Sequence, residues 1–209
     1  MAEADIVPPA PAPPAPARAA GRGTRFVRTR RQAQLLDVLA IRGYEHLLLL
    51  GATEELLLAA GACARQVTAT GLAEHDGLTA RLRERRLRAQ LLPARPRPAA
   101  LPFPDGAFDG VLIPDGLESS DDLEGDCAGL ARVCRAGGML VLGSPVLDRL
   151  ARIPLPFVRR GPRRACHAGE QVIQALVPYF VRDRLMTFPP IMPAGSALFY
   201  VFRCLRAGD

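Results

Sequence analysis

A run of four leucines that ends at a glycine decides much about how this 209-residue chain can fold. The segment Tyr44–Leu50 reads YEHLLLL, and Gly51 follows it directly. A short apolar run closed by a turn residue is typical of a strand buried on both faces, and such strands occur in parallel sheets covered by helices on both sides. The apolar stretch around it is too short to span a bilayer, because Gly51, Thr53 and Glu54 interrupt it. We therefore expect a central strand of a parallel sheet.

Segments with helical and strand periodicity alternate along the rest of the chain. The predicted helices are 24–41, 54–63, 78–89, 121–135 and 170–180, and the predicted strands are 44–50, 66–70, 108–113, 139–143, 182–188 and 197–205. Gly137 and Gly138 are expected to cap the fourth helix. Such alternation predicts an α/β fold with a mostly parallel sheet. The Pro/Ala-rich segment 1–23 is expected to be a disordered tail, and 24–209 to form one domain.

The net charge of +6 arises from arginine alone, since the chain has 27 arginines and no lysine. Aromatic residues make up only 5%, so the arginine-aromatic pattern of nucleic-acid-binding proteins is missing. Two arginine clusters predict either an anionic ligand or acidic protein partner, or merely solvated faces that complement the eight carboxylates between Asp105 and Asp126. The clusters are Arg81, Arg83, Arg85, Arg86, Arg88, Arg95 and Arg97, and Arg149, Arg152, Arg159, Arg160, Arg163 and Arg164.

The five cysteines contain no C-x-x-C pair, which argues against both a zinc site and a disulfide framework. We expect reduced, mostly buried thiols in a cytoplasmic protein without a secretory signal or a membrane span. Cys166 and His167 are adjacent, but a catalytic pair needs side chains that face each other, which adjacency does not provide. His46 is predicted inside the first strand and His75 in a loop, so the three histidines predict no metal site.

Two further segments carry a family resemblance. Residues 101–113 read LPFPDGAFDGVLI, and residues 131–145 read ARVCRAGGMLVLGSP. These resemble the signature of class I S-adenosylmethionine (SAM)-dependent methyltransferases of the small-molecule type 11 kind, and LLLLG lies where the first strand of that family belongs. The resemblance covers about residues 32–206. It implies a three-layer, Rossmann-like α/β fold with a mostly parallel seven-stranded sheet and a C-terminal antiparallel hairpin.

The resemblance also implies where SAM lies. The implied cofactor-binding residues follow the first, second and fourth strands: Gly51, Ala52, Thr53, Gly71, Leu72, Ile113 and Pro114. Methyl transfer of this kind works mostly by positioning the acceptor beside the activated methyl group, so no catalytic residue is implied.

Three positions depart from the family pattern. Only the first glycine of the G-x-G-x-G turn is present, at Gly51, although glycines there allow close backbone approach. Gly71 stands where a carboxylate accepts the ribose hydroxyls. Arg97 stands where an acid accepts from the adenine amino group, and a guanidinium has no acceptor. These departures support a second hypothesis, a catalytically inactive methyltransferase-like binding or regulatory module that has lost SAM.

Several acidic residues near these positions have two interpretations. Glu54 and Glu55 either hold the amino group of the ligand or serve as charges at a helix N-terminus. Glu74 and Asp76, with His75, either replace the missing acid or form a surface loop. Asp115 is either a base or substrate anchor, or part of a solvated acidic face with Glu118, Asp121, Asp122, Glu124 and Asp126. The function that the sequence predicts is methyl transfer from SAM to a small-molecule acceptor, with the inactive module as the alternative.

Overall fold

A seven-stranded sheet organises the computed structural model, which describes residues 22–145, 167, 169–188, 190 and 199–208. The strands of this described part are β1 Tyr44–Leu50, β2 Ala64–Thr70, β3 Arg88–Leu92, β4 Phe108–Ile113, β5 Cys134–Pro145, β6 Phe180–Phe188 and β7 Phe199–Arg206. The helices are α1 Arg22–Leu39, α2 Glu54–Ala60, α3 Asp76–Glu84, α4 Leu123–Val133 and α5 Gly169–Leu176, with a short 3₁₀ helix at Pro98–Ala100.

The strand order is β3-β2-β1-β4-β5-β7-β6. The first five strands are parallel, β7 runs antiparallel to β5, and β6 runs antiparallel to β7. This is the mostly parallel sheet with a C-terminal antiparallel hairpin that the resemblance implied, so the predicted fold class is confirmed.

The leucines of β1 explain the three layers. Leu47 and Leu49 pack in the core that α1 and α2 cover, whereas Leu48 and Leu50 pack in the core that α4 and α5 cover. All four are at most 3% exposed. Because successive side chains of a strand point to opposite faces, only a strand covered on both sides has an unbroken apolar sequence.

Two predicted elements are wrong. The helix predicted at 78–89 ends at Glu84, the chain reverses at Arg86 with φ of 55°, and β3 follows. β3 has one neighbouring strand and no buried residue, so its sequence lacks the apolar alternation of a core strand. Gly137 and Gly138 do not cap a helix, since α4 ends at Val133 and both glycines lie within β5. The pairing of β5 with β4 shifts register there, and Gly137 takes φ of 69°.

The ends of the described segments limit two further predictions. Helix α1 begins at Arg22, and the rest of the predicted tail lies outside the described residues, as do Cys166 and the second arginine cluster. His46 is exposed near the start of β1, and His75 is the N-cap of α3. Among the described residues, no helix is both long and apolar enough to cross a membrane.

Candidate functional site

The carboxyl ends of β1, β2 and β4 meet at one edge of the sheet, the place where open α/β sheets form a ligand-binding crevice. β1 pairs with β2 on one side and with β4 on the other, so the strand order reverses at this point. Open α/β sheets bind ligands in the crevice at such a switch point. All seven predicted cofactor-binding residues lie at these three strand ends: Gly51, Ala52, Thr53, Gly71, Leu72, Ile113 and Pro114. Their contact with a ligand stays a prediction.

The turn after β1 is tied to β2 by Thr70, which is buried. The Gly51 N–H donates to Thr70 Oγ1 at 3.1 Å, and the Ala52 N–H donates to the Thr70 carbonyl at 3.1 Å. Gly51 takes φ of 75°, a conformation that favours glycine. Thr53 then caps α2, because its Oγ1 accepts from the Leu56 N–H at 3.3 Å. The first glycine of the family turn is therefore kept for a structural reason, and its neighbours hold the turn in place.

The turn after β2 lies directly against the turn after β1. Gly71 takes φ of 83°, and a Cβ atom built on it would lie 3.6 Å from the Cα of Gly51. The Gly71 N–H donates to the carbonyls of Leu92 and Ala94 at 2.8 and 3.2 Å, which holds the chain that follows β3 beside the crevice. A side chain at Gly71 would be strained by its backbone conformation. Leu72 is half-buried and packs against the core under α1 and α2.

The carboxyl end of β4 and the residue that follows it are apolar and buried. Ile113 is 2% exposed and Pro114 is buried, whereas Asp115 is the first exposed residue. Asp115 Oδ1 accepts from Nη2 of Arg31 on α1 at 3.0 Å, and Oδ2 lies 3.7 Å from Nη1 of Arg95. Asp115 therefore lies between two arginines at the crevice. The sequence alone did not decide between an anchor and a solvated acid for this residue.

The Arg95 side chain fills the space above Gly51. A Cβ atom built on Gly51 would lie 2.5 to 2.8 Å from three atoms of the Arg95 guanidinium. The guanidinium therefore occupies the volume that a glycine at this turn keeps open. No sequence pattern placed Arg95 at this edge of the sheet. The sequence shows that a short segment broken by prolines follows β3. It does not show where the side chains of that segment lie.

Glu54 is engaged by two side chains at the edge of the crevice. His75 Nδ1 accepts from the Leu78 N–H at 3.2 Å, so Nε2 carries the proton that it shares with Glu54 Oε1 at 2.6 Å. Arg81 pairs with the other carboxylate oxygen. The hydrogen bond from His75 and, after it, the pairing with Arg81 hold the pKa of Glu54 below its ordinary value. Glu54 therefore joins the turns after β1 and β2.

The remaining acids near the site differ in their surroundings. Glu55 is exposed at the start of α2, Glu74 accepts from the Thr79 hydroxyl at 3.2 Å, and Asp76 begins α3. None of these three carboxylates has a contact with Gly71 among the described interactions.

Two residues of the predicted solvated acidic face are buried instead. Asp126 is 4% exposed and accepts from the Ala99 N–H at 3.0 Å and the Ser120 hydroxyl at 2.6 Å. Glu118 is 5% exposed and accepts from the Tyr200 hydroxyl at 3.3 Å. Both carboxylates connect loops of the fold, and a sequence pattern of acids cannot distinguish such contacts from a solvated face.

The described part of the chain gives little support for a reactive cysteine or a metal site. Cys127, Cys134 and Cys204 are buried free thiols, as predicted. Burial raises the pKa of Cys127 to about 12 and that of Cys134 to about 11, so neither is a reactive thiolate. No cluster of three or more potential metal ligands occurs there. His167 donates its N–H to the carbonyl of Glu118 at 3.0 Å, whereas Cys166 lies outside the described residues.

Comparison with known proteins agrees with this geometry. A family model described as "Methyltransferase domain" matches residues 50–142, from the end of β1 into β5. A 57-residue segment is 40% identical to the ubiquinone/menaquinone biosynthesis C-methyltransferase UbiE of Pasteurella multocida, and it covers 26% of this chain. The match spans only about a fifth of that relative, 21% of its length.

Solved structures extend the likeness to most of the chain. The N-methyltransferase NodS of Bradyrhizobium japonicum WM9 has a TM-score of 0.60 at 14% identity, over 88% of this chain and 98% of NodS. The 1,6-didemethyltoxoflavin-N1-methyltransferase of Burkholderia thailandensis has a TM-score of 0.58 at 15% identity, over 93% of each chain. At identities this low, the TM-scores show a likeness of fold alone. With the family match, they confirm the resemblance to class I methyltransferases.

Proposed function

We propose that this chain, whose fold is that of the class I methyltransferases, binds SAM at the carboxyl ends of β1, β2 and β4 and methylates a small-molecule acceptor. The observation that carries the proposal is the meeting of two glycine turns at this edge of the sheet. Gly51 and Gly71 both take positive φ, and their backbones come close with no side chain between them. Side-chain-free turns of this kind let a ligand approach the backbone closely.

The two glycine turns support binding of SAM along the backbone at this edge of the sheet. Gly51, Ala52 and Thr53 would lie along one side of the cofactor, Gly71 and Leu72 along the next, and Ile113 and Pro114 along the third. The space above Gly51 opens when the Arg95 side chain turns away, which is a small change because its tip is flexible and 38% exposed. SAM, when bound, supplies a methyl group on a sulfonium, which passes to a nucleophilic atom of the acceptor and leaves S-adenosylhomocysteine (SAH).

The residues of this chain would position the cofactor and the acceptor and would not supply acid-base chemistry. The buried end of β4 forms an apolar wall, and the Arg31–Asp115 pair ties α1 to that wall. Holding two reactants in a fixed geometry removes much of the entropic barrier of a bimolecular reaction. A small-molecule acceptor is supported by relatives such as the methyltransferase named for 1,6-didemethyltoxoflavin, which was solved with that compound and SAH.

The inactive-module alternative has less support. The absence of a carboxylate at Gly71 and of an acid at Arg97 favours it, whereas the family match over residues 50–142 favours the enzyme. We further propose a cytoplasmic location, which the buried free thiols of Cys127, Cys134 and Cys204 support. An acidic protein partner has no support among the described residues, where Arg81 pairs within the chain.

Calorimetric titration with SAM and with SAH tests the proposal. We expect micromolar binding of at least one ligand. The Gly51→Ala variant should bind at least about tenfold more weakly, because the added Cβ enters the crevice at a positive φ. Gly137→Ala is the matched control, since Gly137 also takes positive φ, has open space around it and lies at the opposite edge of the sheet. A folded wild-type protein that shows no heat and no thermal shift with millimolar ligand would refute the proposal.

A further inference from the structure

The positive charge of Arg95 is only partly neutralised by the side chains around it. Among the described residues, its one polar partner is Asp115, at 3.7 Å, which is longer than a hydrogen bond. The Asp115 carboxylate also accepts a hydrogen bond from Arg31 at 3.0 Å. Two guanidinium groups therefore share one carboxylate, and this end of the crevice has a net positive charge.

The position of that charge is set by the backbone. Gly71 holds the chain after β3 through hydrogen bonds to the carbonyls of Leu92 and Ala94, at 2.8 and 3.2 Å. The Cβ of Arg95 lies 4.0 Å from a Cβ atom built on Gly71, and its guanidinium lies over Gly51. The side chain thus crosses both turns. When the side chain turns aside for a ligand, its Cβ stays beside Gly71, so the guanidinium stays within one arginine side-chain length of that turn.

We propose that Arg95 determines the charge of the ligand that the crevice accepts, disfavouring a sulfonium above Gly51 and favouring ligands without that positive charge. The inference rests on the proposed function, because it concerns the same crevice. SAM and SAH differ by one methyl group and one positive charge, so the ratio of their affinities measures this effect directly.

The expected size follows from the charges. Two like charges about 6 Å apart, in an effective dielectric of about 20, weaken binding by on the order of a hundredfold. Water and salt around a side chain that is 38% exposed reduce this to about tenfold. We therefore expect the wild-type protein to bind SAH about tenfold more tightly than SAM.

The experiment measures the dissociation constants of SAM and SAH by calorimetry for the wild-type protein and three variants. Arg95→Gln removes the charge and keeps most of the side-chain length, and Arg95→Lys keeps the charge. Arg65→Gln removes the same charge at the opposite edge of the sheet, where Arg65 is 72% exposed and pairs with Glu45 at 3.3 Å. Thermal unfolding of each variant checks that it is folded.

The inference expects Arg95→Gln to bring the two affinities close to each other, chiefly by tighter binding of SAM. Arg95→Lys and Arg65→Gln should keep the wild-type ratio. An unchanged ratio in Arg95→Gln, or weaker binding of both ligands, would overturn the inference and leave the proposed function standing. A failure of every folded variant to bind either ligand would overturn the proposed function and this inference with it.

Discussion

Strands β1 and β4 pair along a seam whose far end lies at the crevice. Replacing Asp109 with asparagine tests what holds that seam together. Asp109 is 4% exposed on β4. Its Oδ2 accepts from the Glu45 N–H and its Oδ1 from the His46 N–H, both at 2.9 Å. The regular pairing of β1 with β4 begins only at Leu47, opposite Gly110. The carboxylate therefore extends the pairing of the two strands by two residues.

The expected cost follows from these two hydrogen bonds. A hydrogen bond to a charged group contributes about 1.5–3 kcal/mol. Asparagine keeps one oxygen acceptor but places an NH₂ group against the other backbone N–H, so one bond is lost and the other loses its charge. The Arg135 ion pair, at 3.5 Å, adds little because that arginine side chain is 54% exposed. We expect Asp109→Asn to lower the free energy of unfolding by about 2–4 kcal/mol.

Urea unfolding at pH 7, followed by circular dichroism, measures this loss. Asp105→Asn is the control, because Asp105 is 81% exposed and, among the described residues, its one ion-pair partner is Arg132, at 2.9 Å. The control should change the free energy of unfolding by less than about 1 kcal/mol. If Asp109→Asn costs no more than the control, the two backbone hydrogen bonds do not hold the seam, and the reasoning is wrong.

Three other predictions concern stability, pH and binding. Gly129→Ala should cost about 2 kcal/mol in urea unfolding, since a Cβ there would lie 2.7 Å from the Ala99 Cα and α4 would have to shift. The thiols of Cys127 and Cys134 have pKa values raised by burial from 9.0 to about 12 and about 11, so their contribution to stability is complete below pH 9 and is lost as the pH rises to 12. Denaturation at pH 8 and 10.5 should show this loss, and Cys134→Ala should reduce it. Gly71→Asp should bind SAH about tenfold more tightly in calorimetry, because a carboxylate can accept the ribose hydroxyls, while φ of 83° lowers stability by about 1–2 kcal/mol.

The core strands could be predicted from sequence because burial leaves a local signal. β1 is apolar at four consecutive residues and β4 matches its predicted bounds, 108–113, since both are covered on two faces. β3 could not be predicted, because an exposed edge strand needs no apolar pattern and its arginines favoured a helix. The strand-end positions Gly51 and Gly71 were found through the family pattern, and the structure places them side by side.

The polar contacts of the site could not be predicted for a different reason. Arg95 and Arg31 are 64 residues apart in sequence, counted from their numbers, and meet only through Asp115. Glu118 and Asp126 belong to one acidic run whose sequence favours a solvated face, yet both are buried and hydrogen-bonded. Which side of the chain such residues occupy depends on loops from other strands, and no local pattern contains that information.

The departures at the crevice are linked to one another through the chain that follows β3. Without a side chain, Gly71 can bind that chain closely through the carbonyls of Leu92 and Ala94. That contact in turn brings Arg95 across both glycines. A side chain at Gly71 would begin beside the Arg95 stem, because a Cβ built there lies 4.0 Å from the Cβ of Arg95. The glycine at position 71 and the placement of Arg95 are therefore coupled through this segment of the chain. Under the role proposed for Arg95, the consequence of this coupling is a preference for the charge of the ligand and not only a loss of cofactor contacts.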